Sequence, residues 1–566
     1  MVDTSVLPEE DVPESTEEQN ATSKKHDIRF WAIFPGLCLT AILTSLESTI
    51  LATALPTIVS DLHASTLSVW AINAYTLTYT AVQPLFGQTA DLFGRKSSIV
   101  TSLALFLIGS GVCGTANNVA TLVAGRAIQG LGGGGISILP PMVVSDLVPL
   151  RERPKYSAVI LGATAMGTFL GPIVGGTMID HIGWRWVFWF NLPIAGVAIG
   201  LVGVFMKVNH GRTASIWKQL SQIDYVGNIW LMTSVASVLW ALSTGSGDHA
   251  WTSWRTLLTL LLGIFGIPVF ILFESSKYCP VPTVPIRLFK HPTSALGFLA
   301  SFLNGVNIYW AIYFLPVYFQ AVLQATPQQS GINILPILIP IIPSGICGGF
   351  LISKTGRYKP SQIMGFSLAS IALGCFATLD RGSPVALWIV VQIIFAAGAG
   401  LCITSALPTI QAPLLESDVG AATAVWGFAQ GMGFICGMAI PTSIFESKFR
   451  TLLPTLEDVL VRETLRTGGA YEHASHKFIG SLGGAVQEQV VTAFEISLKL
   501  VWEVGVAFSI LGVVAGLVVK EVSMRETLET RYGLENIDKV SDPEVPQTKA
   551  ADSSESVDPI NEKDSR

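Results

Sequence analysis

Runs of about 20 mostly apolar residues, separated by short polar breaks, recur from Phe30 almost to the end of this 566-residue chain. A helix of that length satisfies its own backbone hydrogen bonds and can lie in hydrocarbon, where no water is available to do so. The feature fixes the class as an all-α, polytopic membrane protein. Composition agrees. Half of the residues are hydrophobic and 13% are charged, against about 25% charged in an average soluble domain. The mean hydropathy is +0.54. Much of the acid behind the net charge of −6 lies in the two ends of the chain, and no basic patch with interleaved aromatics suggests nucleic acid. The seven cysteines form no CxxC or Cys/His spacing, so neither a disulfide framework, a metal site nor a cofactor is indicated; only Cys279 lies in a connecting loop.

Fourteen candidate spans can be read: 30–54, 67–87, 97–115, 119–144, 156–180, 186–206, 222–243, 255–273, 294–318, 329–351, 361–379, 385–410, 418–445 and 499–520. Residues 1–28 and 524–566 are rich in Glu, Ser, Asp and Lys and read as disordered cytoplasmic tails. The acidic N-terminus does not resemble a cleavable signal, so the first span is expected to direct insertion. With that end inside, the short inner loops carry 14 Lys and Arg residues and the short outer loops 3, which places both termini in the cytoplasm. Residues 446–498 then form a long outer segment.

The chain repeats itself. "GQTADLFGRK" from Gly87 returns as "GFLISKTGRYK" from Gly349, with Gly94-Arg95 on Gly356-Arg357. "GLGGGGISILPP" from Gly130 returns as "GAGLCITSALPT" from Gly398, and Gly167 and Gly171 return as Gly433 and Gly437. The offsets are 262, 268 and 266 residues. Spans 1–6 therefore repeat as spans 9–14, and spans 7 and 8 are an insertion, a 6+2+6 plan. The expected units are a six-helix bundle over 29–206, a hairpin over 222–273 and a second six-helix bundle over 294–520 that includes the outer segment.

Three stretches carry ionisable or flexible groups where lipid-facing helices do not want them. In "LTSLESTILATALP", Glu47 lies about 13 Å of helix before Pro56. It shares a helical face with Thr40, Thr44 and Ser48, and span 2 has a comparable stripe of Asn73, Thr76, Thr80 and Gln83. Two such stripes suggest a hydrated cavity in which a carboxyl can load and release a proton; the plainer alternative is a Glu hydrogen-bonded for packing. In "LVAGRAIQGLGGGG", Arg126 lies inside span 4 beside Gln129, and must either find an interior partner or reach for the outer interface. In "GTFLGPIVGG", Gly167, Gly171 and Gly175 let a neighbouring helix approach closely and Pro172, followed by Gly175-Gly176, loosens the backbone. Asp91, in the turn with Gly87, Gly94, Arg95 and Lys96, can cap span 3 or pair with a neighbouring helix. Asp224 is expected to cap span 7, and Trp502 and Glu503 read as interfacial.

The turn Gly87-x-x-x-Asp91-x-x-Gly94-Arg95-Lys96 resembles the loop 2–3 motif of the major facilitator superfamily. With "WRWVFWFNLP", "IDYVGN", "YFLPVYFQAV" and "SGINILP", the likeness extends over about residues 30–520 and is to the fourteen-span drug:proton antiporter branch, including fungal toxin and multidrug pumps. That branch has Asp where this chain has Glu47. The resemblance implies the major facilitator fold, proton coupling through Glu47 and Arg126, and conformational gating by the Gly87–Lys96 and Gly167–Gly176 stretches. It further implies efflux of amphipathic small molecules across the plasma membrane, or alternatively the vacuolar membrane, by a monomer in the lipid bilayer. Substrate-pocket candidates are Thr44, Ser48, Asn73, Thr76, Gln129, Asn304, Asn307, Tyr309, Trp310 and Tyr313. The alternative function is a proton symporter for uptake of a chelated metal or nutrient. No phosphate-binding loop and no nucleophile–base set points to an enzyme.

Overall fold

The structure, a computed structural model, describes residues 28–62, 68–206, 221–245, 253–277, 279, 281–467, 470–471 and 473–525. Its first part contains α1 (Ile28–Asp61), α2 (Ser68–Ala81), α3 (Gln83–Phe93), α4 (Arg95–Gly114), α5 (Val119–Leu147), α6 (Arg153–His181), α7 (Arg185–Trp189) and α8 (Asn191–Phe205). Two helices follow, α9 (Tyr225–Gly245) and α10 (Trp254–Glu274). The last part contains α11 (Pro292–Val317), α12 (Pro327–Asn333), α13 (Leu335–Thr355), α14 (Lys359–Phe376), α15 (Val385–Gln411) and α16 (Val419–Leu452), then the short α17 (Val459–Thr467) and α18 (His476–Gly480), and α19 (Gly484–Val518). A helix or helix pair occupies each segment read as a span. Among the described residues, ten helical stretches are long and apolar enough to cross a membrane.

Glycine decides how these helices meet. Gly94 (φ 89°) turns the chain from α3 into α4, and Gly356 (φ 69°) ends α13 at the matching place in the second part. Both lie in the left-handed region that side chains avoid, so the repeated Gly-Arg pair is required by backbone geometry. Gly167 and Gly171 of α6 bring that helix onto Ile42, Ser45 and Thr49 of α1, and Gly433 and Gly437 of α16 bring theirs onto Phe302 and Val306 of α11. The two parts join along α6 with α13 and along α16 with α3 and α5. Gly349 lies against Pro154, Gly345 against Leu161, Gly87 against Ala424, and Gly427 against Ile138 and Gln83.

Helices α9 and α10 pair with each other and are clasped at one end. Asp224 caps α9 by accepting from Gly227 N (2.8 Å), as its position predicted. Glu274 uses both oxygens on the backbone amides of Thr283 (3.1 Å) and Val284 (3.0 Å). Cys279 sits beside this pair, and burial together with Asp224 and Glu274 pushes its thiol up to about 12, which leaves it protonated and unreactive. Gln88 of α3 ties the clasp to the first part, donating to Val281 O (2.9 Å) and accepting from Thr283 Oγ1 (3.2 Å).

The described residues of 446–498 form a cap on the second part: α16 continues to Leu452, α19 starts at Gly484, and Leu456, Leu465 and Ile479 join the core around Phe445 and Phe494. Two expectations change. Trp502 is 2% exposed and packs on Phe376 at 5.1 Å, so it is core and not interfacial. Met524 and Arg525, assigned to a disordered tail, are held against the ends of the helices; residues 1–27 and 526–566 lie outside the described residues.

A Cβ at residue 437 would sit 2.9 Å from Val306 Cα, whereas one at residue 162 meets nothing within 4 Å. Gly437→Ala is therefore expected to destabilise by about 1–3 kcal/mol and to lower the thermal unfolding midpoint of the purified protein. Gly162→Ala should leave it unchanged or raised.

Candidate transport site

Helix α5 starts at the Asn118 cap, whose side chain accepts from Thr121 N at 2.8 Å. Arg126 thus lies about 10 Å inside the helix. It is 2% exposed, and its guanidinium turns inward to the Glu47 carboxylate, so the interior-partner alternative holds. Arg126 also donates to Gln129 Oε1 (2.7 Å) and lies over the Tyr75 ring, 4.3 Å from its centroid. Glu47 is fully buried; its second oxygen accepts from Asn191 Nδ2 at 2.5 Å, and Asn191 is fully buried too. Gln129 is held in turn by Ser110, to whose hydroxyl it donates (2.8 Å). The bare α-carbon of Gly109 lets α4 and α5 come close enough for that contact. Five helices, α1, α2, α4, α5 and α8, thereby converge on one compensated charge pair.

Taking both ions out of water costs several kcal/mol each, offset only while the pair and its hydrogen bonds stay complete, so loss of either partner leaves the other ion poorly compensated in the interior. The glycines of α6 sit next to this point. Gly167 abuts Ser45 and Gly171 abuts Thr49, either side of Glu47 on α1. The surroundings of Pro172 and Gly176 lie outside what is described, and Gly175 is buried.

The polar stripes do not both face a wet cavity. Thr40 and Glu47 are buried, Thr44 is half-buried and Ser48 is exposed. The hydroxyls of Thr40, Thr44 and Ser48 donate back to carbonyls of their own helix. On the second stripe Thr80 and Gln83 are buried against Gly431 and Gly427 of α16, so they serve contact between the two parts. Thr76 is half-buried, and the Asn73 side chain lies outside the described residues. On α11, Tyr309 stacks on Phe434 (4.2 Å) and lies 5.5 Å from Tyr313. Asn304 is buried, and Asn307 is buried with neither amide atom hydrogen-bonded among the described residues. Trp310 is fully buried against Gly505 and Phe508 inside the second part.

A second charge network closes one end of the molecule. Asp91 pairs with Arg95 (2.5 Å) instead of capping α4, and Arg95 also donates to Asp146 at 2.7 Å. Lys96 donates to Gly203 O at 2.6 Å. The N-terminal turn of α16 lies over this set, with Gly420 beside Asp91. Arg153 crosses between the parts to Glu416 and to Gln411 Oε1 (2.9 Å). The sequence reading missed Asn191, Asp146, Gln411 and Glu416. Asn191 stood inside the quoted string "WRWVFWFNLP", where an amide two residues before a proline among aromatics was the available signal.

The family profile described as Major Facilitator Superfamily matches residues 37–438. The chain belongs to this superfamily, and it is a membrane transporter and not an enzyme. It is 41% identical to the MFS-type transporter pydD of an Acremonium species over 92% of this chain and 91% of that one. It is 41% identical to the MFS-type efflux pump LUC4 of a Fusarium species (92% and 93% covered), and 40% identical to the efflux pump FUS6 of Gibberella moniliformis (96% and 95%). Among solved structures, the proton:xylose symporter XylE shares the fold at a TM-score of 0.55 and 16% identity, over 88% of this chain and 97% of that one.

Arg126→Ala leaves a buried carboxylate uncompensated and is expected to destabilise by about 3–5 kcal/mol. Adding Glu47→Gln should restore most of that loss, read as the unfolding midpoints of the single and double variants.

Proposed function

We propose that the protein is a proton-coupled antiporter that exports amphipathic small molecules, such as a toxin, secondary metabolite or drug, by alternating access. The observation that carries the reading is the wholly buried Glu47 held by Arg126 and Asn191. A proton arriving from outside neutralises Glu47 as substrate leaves; its loss to the cytoplasm re-forms the pair with Arg126 and resets the carrier. The relatives named as efflux pumps support the direction, and Gly167 and Gly171 on the seam with α1 supply the close contact that such a cycle needs.

The plan is 6+2+6: bundles over 29–206 and 294–520 with α9 and α10 as the inserted hairpin over 222–273. Both termini are cytoplasmic, which makes the end held by Arg95 and Arg153 the cytoplasmic one and the conformation closed to the inside. Gly87, Asp91, Gly94, Arg95 and Lys96 form the gate there. Substrate sits between the bundles among Thr44, Ser48, Thr76, Asn304, Asn307, Tyr309 and Tyr313, where aromatic faces and amides suit bulky, partly apolar compounds. The protein works as a monomer in the plasma membrane.

The test is substrate accumulation in cells lacking or overexpressing the protein, with and without a proton uncoupler. Overexpression should lower accumulation, and the uncoupler should abolish the difference. Glu47→Gln, expressed at the normal level, should reduce export at least tenfold. Higher accumulation on overexpression would mark an uptake symporter instead, and normal pumping by Glu47→Gln would remove Glu47 from the mechanism.

A further inference from the structure

The chain does not leave the protein where its last long helix ends. After Val518 it runs on without helix to Arg525, and within this stretch Val519 and Met524 are buried while Lys520, Glu521 and Ser523 are exposed. Val522 N donates to the Tyr358 hydroxyl (2.8 Å), which itself donates to Lys520 O (3.1 Å). Thr293 Oγ1 also donates to Lys520 O, at 3.3 Å. These contacts fasten the start of the stretch to the second bundle. Its far end reaches the first bundle. Met524 and Val519 share one apolar cluster with Leu150 of the α5–α6 connection and with Ile352, Tyr358 and Ala412 of the second bundle, and Val522 packs against it. Arg151 N donates to Arg525 O at 3.3 Å.

Arg525 enters the charge network between the bundles. Its guanidinium donates to Leu414 O (2.7 Å) and lies 3.3 Å from Glu416 Oε2, while the other oxygen of Glu416 holds Arg153. One carboxylate of the second bundle is thus shared by an arginine of the first bundle and an arginine carried in from beyond the last helix. Both cations are largely withdrawn from water: the side chains of Arg153 and Arg525 are 3% and 33% exposed, and that of Glu416 14%. For the bundles to part at this end, Arg153 must leave Glu416, Leu150 must leave the cluster and Arg151 N must leave Arg525 O. The stretch takes part at each point: it supplies Arg525 O, it contributes Val519 and Met524 to the cluster, and its Arg525 shares Glu416 with Arg153.

We infer that residues 519–525 are a strap that latches this end of the transporter shut, and that Arg525 is a positioning residue which holds Glu416 in register for Arg153. The inference rests on the alternating-access reading only in taking the closed end as one that opens, and it is independent of proton coupling.

Hydrogen–deuterium exchange of the purified protein in lipid nanodiscs tests it without a substrate. Four forms are compared with the full chain: Arg525→Ala, Arg525→Lys, a chain ended after Lys520 and a chain ended after Arg525. Arg525→Ala and the chain ended after Lys520 should exchange about tenfold faster in residues 147–153 and 412–418, the scale expected on losing a charged hydrogen-bond set. Arg525→Lys and the chain ended after Arg525 should stay within about twofold of the full chain. Equal exchange in the two shortened chains would overturn the strap. Faster exchange spread over the whole protein, α11 included, would make the stretch a folding element and would overturn the latch equally. If the latch holds but cells show no uncoupler-sensitive export, the antiporter reading fails by itself.

Discussion

Lipid hydrocarbon offers no hydrogen bonds and almost no dielectric screening, so a charge placed inside a bundle of apolar helices must find its counter-charge within the protein. Glu47 and Arg126 meet that demand for each other, and the structure around them is arranged to keep the answer complete. Asn191 takes the second carboxylate oxygen, Gln129 takes the remaining reach of the guanidinium, Ser110 fixes Gln129, and Gly109 makes space for it. The close approaches set by glycine are what bring the partners of both ions to one depth.

The second part of the chain has the same helix-on-helix seams, but among the described residues no fully buried pair like Glu47–Arg126. Where α1 presents Glu47 to Asn191 at the start of α8, α11 presents Trp310 to Gly505 and Phe508 of α19, an apolar and aromatic contact. The glycine seam of α16 on α11 repeats that of α6 on α1, so the mechanics are shared while the electrostatics are not.

What could be read from the amino acids was what acts locally. Span length, the positive-φ glycines at 94 and 356, the Asp224 cap and the out-of-place charges at 47 and 126 all follow from a few neighbouring residues and the solvent they meet. Helical periodicity correctly gathered Thr80 and Gln83 on one face, yet it could not say what that face meets, and it meets α16 and not water. Asn191 was hidden because a neutral amide among tryptophans has no charge to account for. Asp146 and Glu416 stand at helix ends, where charges are ordinary, and their importance comes from partners 51 and 263 residues away. The charged composition from Met524 onward reads as tail, and only the distant Leu150 and Tyr358 make Met524 part of the core.

The cap built from residues 446–498 has a bearing on motion. It lengthens α16 and α19 beyond the apolar zone and ties both to α17, α18 and the aromatic core at Phe314, Phe445 and Tyr471. Bracing of this kind on one part only makes the two parts unequal as mechanical bodies. The second carries its bracing at the ends of its helices, and the first carries its buried charge pair in the middle of its own.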